Sequence, residues 1–128
     1  MRQSQLSAEI TKMRVQVCKA MANPTRMRVI DILKNGEKTA GDLACLLGVP
    51  SATLSQHLAL LRQVGILESR RDAKFIIYSL TDKRIVDACD LMMKVLLDRI
   101  KNVEQLSKSL RKQSAFLKEG THETTHKP

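Results

Sequence analysis

The sequence predicts a mainly α-helical domain with one short β-hairpin, in the order α-α-α-α-β-β-α. Three observations lead there. Leu, Ile, Val and Met recur at three- and four-residue spacings along most of the chain, the period of amphipathic helices. That period breaks between Ile66 and Leu80, where β-forming residues flank a charged turn. Aromatic residues are only 2% of a chain that is 43% hydrophobic, so the core must be aliphatic side chains packed between helices.

Leu6, Ile10, Met13, Val17 and Ala20/Met21 place a first helix over 6–22, with Lys12, Arg14 and Lys19 on its wet side. Asn23-Pro24 is a cap followed by a first-turn proline, which starts a second helix. That helix carries Met27, Ile30 and Leu33 inward and ends at Asn35-Gly36. Glu37-Lys38 leads into a third helix, from about Thr39 to Leu47. Thr39 caps it, with Asp42 three residues on in a variant of the capping box. Leu43, Leu46 and Leu47 form its apolar face. Gly48 stands where a left-handed residue ends a helix. Pro50 forbids continuation and suits the start of a fourth helix.

The fourth helix runs from about Ser51 to Val64 and is closed by Gly65. Leu54, Leu58, Leu61 and Val64 make one buried stripe. Ser51, Thr53, Ser55, Gln56 and His57 lie off that stripe, near the leading end. Two short helices with a tight break, the second led by polar residues, meet the requirements of a helix-turn-helix. Gln can bond an adenine edge through both ends of its amide, and Ser and Thr can bond most bases or phosphates. On this stretch alone, a solvated polar face fits equally well.

Ile66 and Leu67 open a short extended run, and Phe75-Ile76-Ile77-Tyr78-Ser79-Leu80 forms a second, joined through the charged stretch between. A hairpin directly after a recognition helix is a wing. Arg70, Arg71 and Lys74 fall at its tip or shoulders, suited to phosphate or minor-groove contact. Thr81 can cap a long last helix. Ile85, Cys89, Met92, Leu96, Val103, Leu106 and Leu110 form its stripe, widened by Val86, Leu91, Val95, Leu97 and Ile100. So small a body cannot cover that stripe, which reads as a homodimer seam shared with the first helix. Residues 105–117 extend the last helix, and 118–128 read as a disordered polar tail.

The formal net charge of +9 and pI near 9.8 point to a polyanionic partner. Double-stranded DNA is one candidate and a membrane surface the other. No apolar run approaches the ~18 residues of a membrane span, and the first residues lack the apolar core of a signal peptide. A cytoplasmic protein without a membrane partner is expected. Cys18, Cys45 and Cys89 are odd in number and widely spaced, which is no disulfide framework. Sitting on apolar helix faces, they read as buried, reduced thiols. His122-Glu123-Thr124-Thr125-His126 spells H-E-x-x-H, whose zinc chemistry needs a stable helix and a third ligand. Its position in a polar tail argues against catalysis, and no enzyme is expected.

Several strings now resemble one family. Ala22-Asn23-Pro24-Thr25-Arg26-Met27-Arg28-Val29-Ile30 resembles the A-[DN]-P-T-R-L-R-I-L signature of the ArsR/SmtB family. Asp42-Leu43-Ala44 with Leu47-Gly48 resembles its E-L-A-x-x-L-G turn. Ser55-Gln56-His57-Leu58 with Leu61 and Gly65 resembles its recognition helix, and Arg70-Arg71-Asp72-Ala73 with Tyr78 and Leu80 its wing. The resemblance spans residues 9–104. It implies a homodimeric winged helix-turn-helix repressor that binds operator DNA and releases it on sensing an inducer, here unknown. Ser51, Thr53, Ser55, Gln56 and His57 map onto the recognition positions, and Arg70, Arg71 and Lys74 onto the wing.

The family's metal sites are matched poorly. Where the arsenic and cadmium type has E-L-C-x-C-[DE], this chain has Ala44 and Leu46 at the ligand positions, with Cys45 between them. The zinc type pairs D-x-H with H-x-x-[HE] on the last helix. Asp87-Ala88-Cys89 opens such a site, but its partner positions hold Ile100 and Val103. No metal and no cofactor are expected. A thiol signal at Cys18 and Cys89, meeting at the dimer seam, remains open beside the reading of both as inert apolar residues. The alternative function is a winged-helix protein-interaction module that dimerises without specific DNA binding.

Overall fold

A computed structural model describes residues 2–125, with side chains described through Lys118. The elements are α1 (Arg2–Met21), α2 (Pro24–Leu33), β1 (Lys38–Thr39), α3 (Ala40–Leu47), α4 (Ser51–Gln63), β2 (Leu67–Asp72), β3 (Phe75–Leu80) and α5 (Arg84–Thr125). The chain divides into two compact units, Met1–Asp87 and Ala88–Pro128. The first holds the helix-turn-helix, the sheet and the core. The second is the body of the long helix.

Local chemistry sets the boundaries. Asn23 is extended, and its side chain accepts the Arg26 N–H at 3.1 Å, so Pro24 can open α2 without losing a needed donor. The Thr39 hydroxyl accepts the Asp42 N–H at 3.1 Å and starts α3. Gly48 ends α3 at φ 65°, its N–H bonded to the Ala44 carbonyl at 2.9 Å. Only glycine takes that backbone at no steric cost. Pro50 then begins a new direction, and α3 and α4 meet at 114°, within the usual range for a helix-turn-helix.

The sheet order is β1-β3-β2, all antiparallel. The hairpin runs in register from Leu67 opposite Leu80 to Asp72 opposite Phe75, leaving Ala73-Lys74 as a two-residue turn. Ala73 has φ 53°, an uncommon backbone for a residue with a Cβ. The short strand β1 places Lys38 opposite Tyr78 and Thr39 opposite Ile77. The sequence reading treats this stretch as a connector, because two residues are too few to show a period.

The core gathers Ala20 from α1; Val29, Ile30 and Leu33 from α2; Leu43 and Leu47 from α3; and Leu54, Leu58 and Leu61 from α4. Ile66, Leu67, Tyr78, Leu80 and Val86 complete it. Each fully buried leucine contributes roughly 1.5–3 kcal/mol of apolar burial.

Three sequence readings are corrected here. Leu46 is 56% exposed rather than inward, because it is rotated about 100° from Leu47 around the helix. Cys18 and Cys45 are exposed and Cys89 half-buried, not sealed in a core. Cys45 lies two residues past buried Leu43 and Cys18 two residues before buried Ala20, which turns each about 200° away from the core. Asp82, not Thr81, caps α5: its carboxylate accepts the Arg84 N–H at 2.9 Å, and the Arg84 guanidinium bonds the same group at 2.6 Å. An anionic cap also complements the positive end of the helix dipole. Those bonds from Arg84 hold the Asp82 carboxyl at about 2.

The helix α5 continues past Lys118 to Thr125, where the sequence reading begins a polar tail. The side chains of His122 and His126, and residues 126–128, lie outside the described residues.

Candidate nucleic-acid interface

Leu54, Leu58 and Leu61, each no more than 1% exposed, anchor α4 along one side. Its period then turns Ser51, Thr53, Ser55 and Gln56 outward, and all four are exposed. The leading turn of α4 has no side-chain cap, Pro50 being its first flanking residue. Its early N–H donors are therefore open to an anion such as a phosphate. This end of the helix offers amide, hydroxyl and backbone donors together on a rigid rod.

His57 differs from its neighbours. It is half-buried, and its Nδ1 lies 3.2 Å from Nη1 of Arg26 in α2. A guanidinium can only donate, so Nδ1 is the accepting atom of this contact. The Arg26 Nε in turn donates to the Ala20 carbonyl at the end of α1. Arg26 thus ties α1, α2 and the recognition helix together. Sequence reasoning places His57 among the DNA-facing residues and assigns Arg26 no role. The only signal is that both residues stand within family strings.

The turn at Gly65, with φ 84°, joins α4 to the wing, and the Ile66 N–H bonds the Leu61 carbonyl at 3.0 Å. Within β2, successive residues face opposite sides of the hairpin, which separates the two arginines. Arg70 bonds Glu37 at 2.7 Å and approaches Asp72 at 3.8 Å. The hydrogen bond to Glu37 stabilises the charged guanidinium and raises its pKa further. Arg71 is exposed and makes no ion pair among the described residues. Lys74 lies over the Phe75 ring, 5.5 Å from its centre, which holds the ammonium at the hairpin end. Among the described residues, the wing cations without a carboxylate partner are therefore Arg71 and Lys74, while Arg70 is shared with the α2–β1 loop. Nothing in the sequence signals a Glu37–Arg70 pair, which spans 33 residues.

The candidate sensor residues belong to neither α4 nor the wing. Cys18 is exposed on α1, and Cys89 is half-buried in α5. Among the described residues, no three His, Cys, Asp or Glu side chains gather as a metal site. Also among the described residues, no single helix is long and apolar enough to cross a membrane.

Comparisons with known proteins agree with this geometry. A family model described as a helix-turn-helix domain matches residues 21–70. The transcriptional repressor SdpR of Bacillus subtilis is 36% identical over 77 residues, covering 60% of this chain and 86% of that protein. The crystal structure of Mycobacterium tuberculosis Rv0081 superposes with a TM-score of 0.67 at 30% identity, over 73% of this chain and 94% of that one. A homodimeric winged helix-turn-helix DNA-binding domain from Mycobacterium bovis, Mb0332, described as a possible ArsR-family regulator, gives 0.69 at 25% identity, over 75% and 89%. By sequence, fold and the arrangement of recognition helix and wing, the chain belongs to the ArsR-type family of winged helix-turn-helix transcriptional regulators.

Proposed function

We propose that this regulator is a repressor that binds its operator as a homodimer and leaves it on a chemical signal. The observation that carries the reading is the exposed row Ser51, Thr53, Ser55 and Gln56 on a helix clamped by three buried leucines. Gln56 supplies base readout. Arg71 and Lys74, with a contribution from Arg70, supply phosphate contacts. His57 aims α4 through Arg26.

The dimer uses the apolar residues that a single chain leaves exposed. Leu6, Ile10 and Met13 of α1 and Leu96, Val103, Leu106 and Leu110 of α5 are 49–65% exposed. Stripes of this extent mark an interaction surface. Two-fold pairing sets the recognition helices in successive major grooves, about 34 Å apart. The protein acts in the cytoplasm, by binding rather than catalysis. A thiol signal would act at Cys18 and Cys89.

The test is binding to DNA from its own upstream promoter. Reduced protein should hold that fragment far more tightly than a scrambled one, and Gln56→Ala should weaken only the specific complex. Equal affinity for both fragments would favour a protein-interaction module. Under a persulfide donor, release by wild type but not by Cys18→Ser or Cys89→Ser would assign the signal to the thiols.

A further inference from the structure

A groove of about 530 Å³ lies between the end of α1 and the trailing half of α4. Its cations are Lys19 and Arg26, and no acidic residue lines it. Neither cation makes an ion pair among the described residues. Arg26 is half-buried, and a cation withdrawn from water without a counter-ion attracts an anion. Its bonds to Ala20 and His57 use two of five N–H donors. The rest of the lining divides by chemistry. Gln16 and Gln63 supply amides, and Ala20, Leu60 and Val64 an apolar floor. The volume is in the range that small-molecule sites occupy.

We propose that this groove binds a small organic anion, a carboxylate or phosphate group on an apolar body, and that its binding weakens operator affinity. This inference rests on the reading of a repressor released by a chemical signal, and names the class and place of that signal. The coupling runs through Arg26. An anion bound at the remaining donors of Arg26 draws the guanidinium toward the groove and away from His57, which follows Gln56 directly in α4. The groove is separate from the DNA-facing end, since Gln63 lies about 10 Å along the helix axis from Gln56. Ligand and operator then favour different settings of one side chain, which is the differential interaction an allosteric effect requires.

The experiment titrates the full chain, reduced and free of DNA, with 1-naphthoate, phenyl phosphate, inorganic phosphate and neutral 1-naphthamide by calorimetry. At least one organic anion should bind saturably, at least tenfold more tightly than inorganic phosphate or the amide. The tighter of the two anions identifies the head group. Lys19→Gln should weaken that binding about tenfold, and Gln16→Trp, which fills the groove from an exposed position, should abolish it. Thermal midpoints should stay at the wild-type value. At saturation the bound anion should lower wild-type operator affinity at least fivefold. No saturable binding, equal binding by Lys19→Gln, or an operator affinity indifferent to saturating ligand would each overturn the proposal. A chain that takes the anion but never distinguishes operator from scrambled DNA would instead refute the repressor reading, because the titration contains no DNA.

Discussion

Replacing Arg71 with alanine removes a wing cation that is exposed and has no carboxylate partner among the described residues. Each phosphate neutralised contributes about −0.9 to the slope of log affinity against log salt. A dimer carries two copies, so Arg71→Ala should flatten that slope by about 1.8. Between 50 and 200 mM salt, the deficit of the variant should therefore shrink roughly twelvefold. Arg70 gives the contrast. It is bonded to Glu37 at 2.7 Å with both side chains about half exposed, so DNA must compete with a weak, solvent-screened pair. Arg70→Ala should flatten the slope less than Arg71→Ala, and Glu37→Gln should steepen it. Fluorescence anisotropy on one operator duplex across a salt series reads the three variants beside wild type. An Arg71→Ala slope equal to wild type would refute the assignment, and a larger effect at Arg70 would reverse the division of roles across the hairpin.

Other consequences concern stability. Leu58→Ala, at a side chain 1% exposed, should cost about 2–5 kcal/mol in urea unfolding; a cost under 1 kcal/mol would mean that α4 is not clamped as described. Ala73→Gly relieves a positive φ of 53°, and after the entropy glycine adds to the unfolded chain it should gain about 0.5 kcal/mol, with a clear loss arguing against strain at the turn. The Asp82 carboxyl, bonded by Arg84, is held at about 2 against an ordinary 3.8. A depressed carboxyl contributes stability that is complete above its unfolded value and lost as pH falls through the folded one. The thermal midpoint of wild type should thus exceed that of Asp82→Asn at pH 6, and the gap should close from pH 4 toward 2; a pH-independent gap would remove the cap from the account.

Much of this architecture is legible in the residues because it is local. Asn23-Pro24, Thr39 with Asp42, and Gly48-Val49-Pro50 each dictate a helix boundary by backbone chemistry within four residues. The leucines of α4 name their own buried face, and the polar row follows by subtraction. Apolar identity misleads where angular position decides. Leu46, Cys18 and Cys45 are apolar enough for a core, yet the helix period turns them outward. The cap of α5 depends on which of two adjacent residues, Thr81 or Asp82, faces the first turn, and the charged one prevails. Contacts over long sequence separations leave no pattern to read. The Arg26–His57 link, the Glu37–Arg70 pair and the pairing of Lys38-Thr39 with Tyr78 and Ile77 exist only once the chain has folded.

The central claim is that the leading end of α4 reads DNA sequence. It is tested most directly by titrating wild type and Gln56→Ala on the upstream promoter fragment and on a scrambled duplex at physiological salt. Wild type should prefer its operator by 10³ or more. Gln56→Ala should lose about 1–3 kcal/mol per half-site on the operator and almost nothing on the scrambled duplex. A ratio of affinities unchanged by the substitution would contradict the claim.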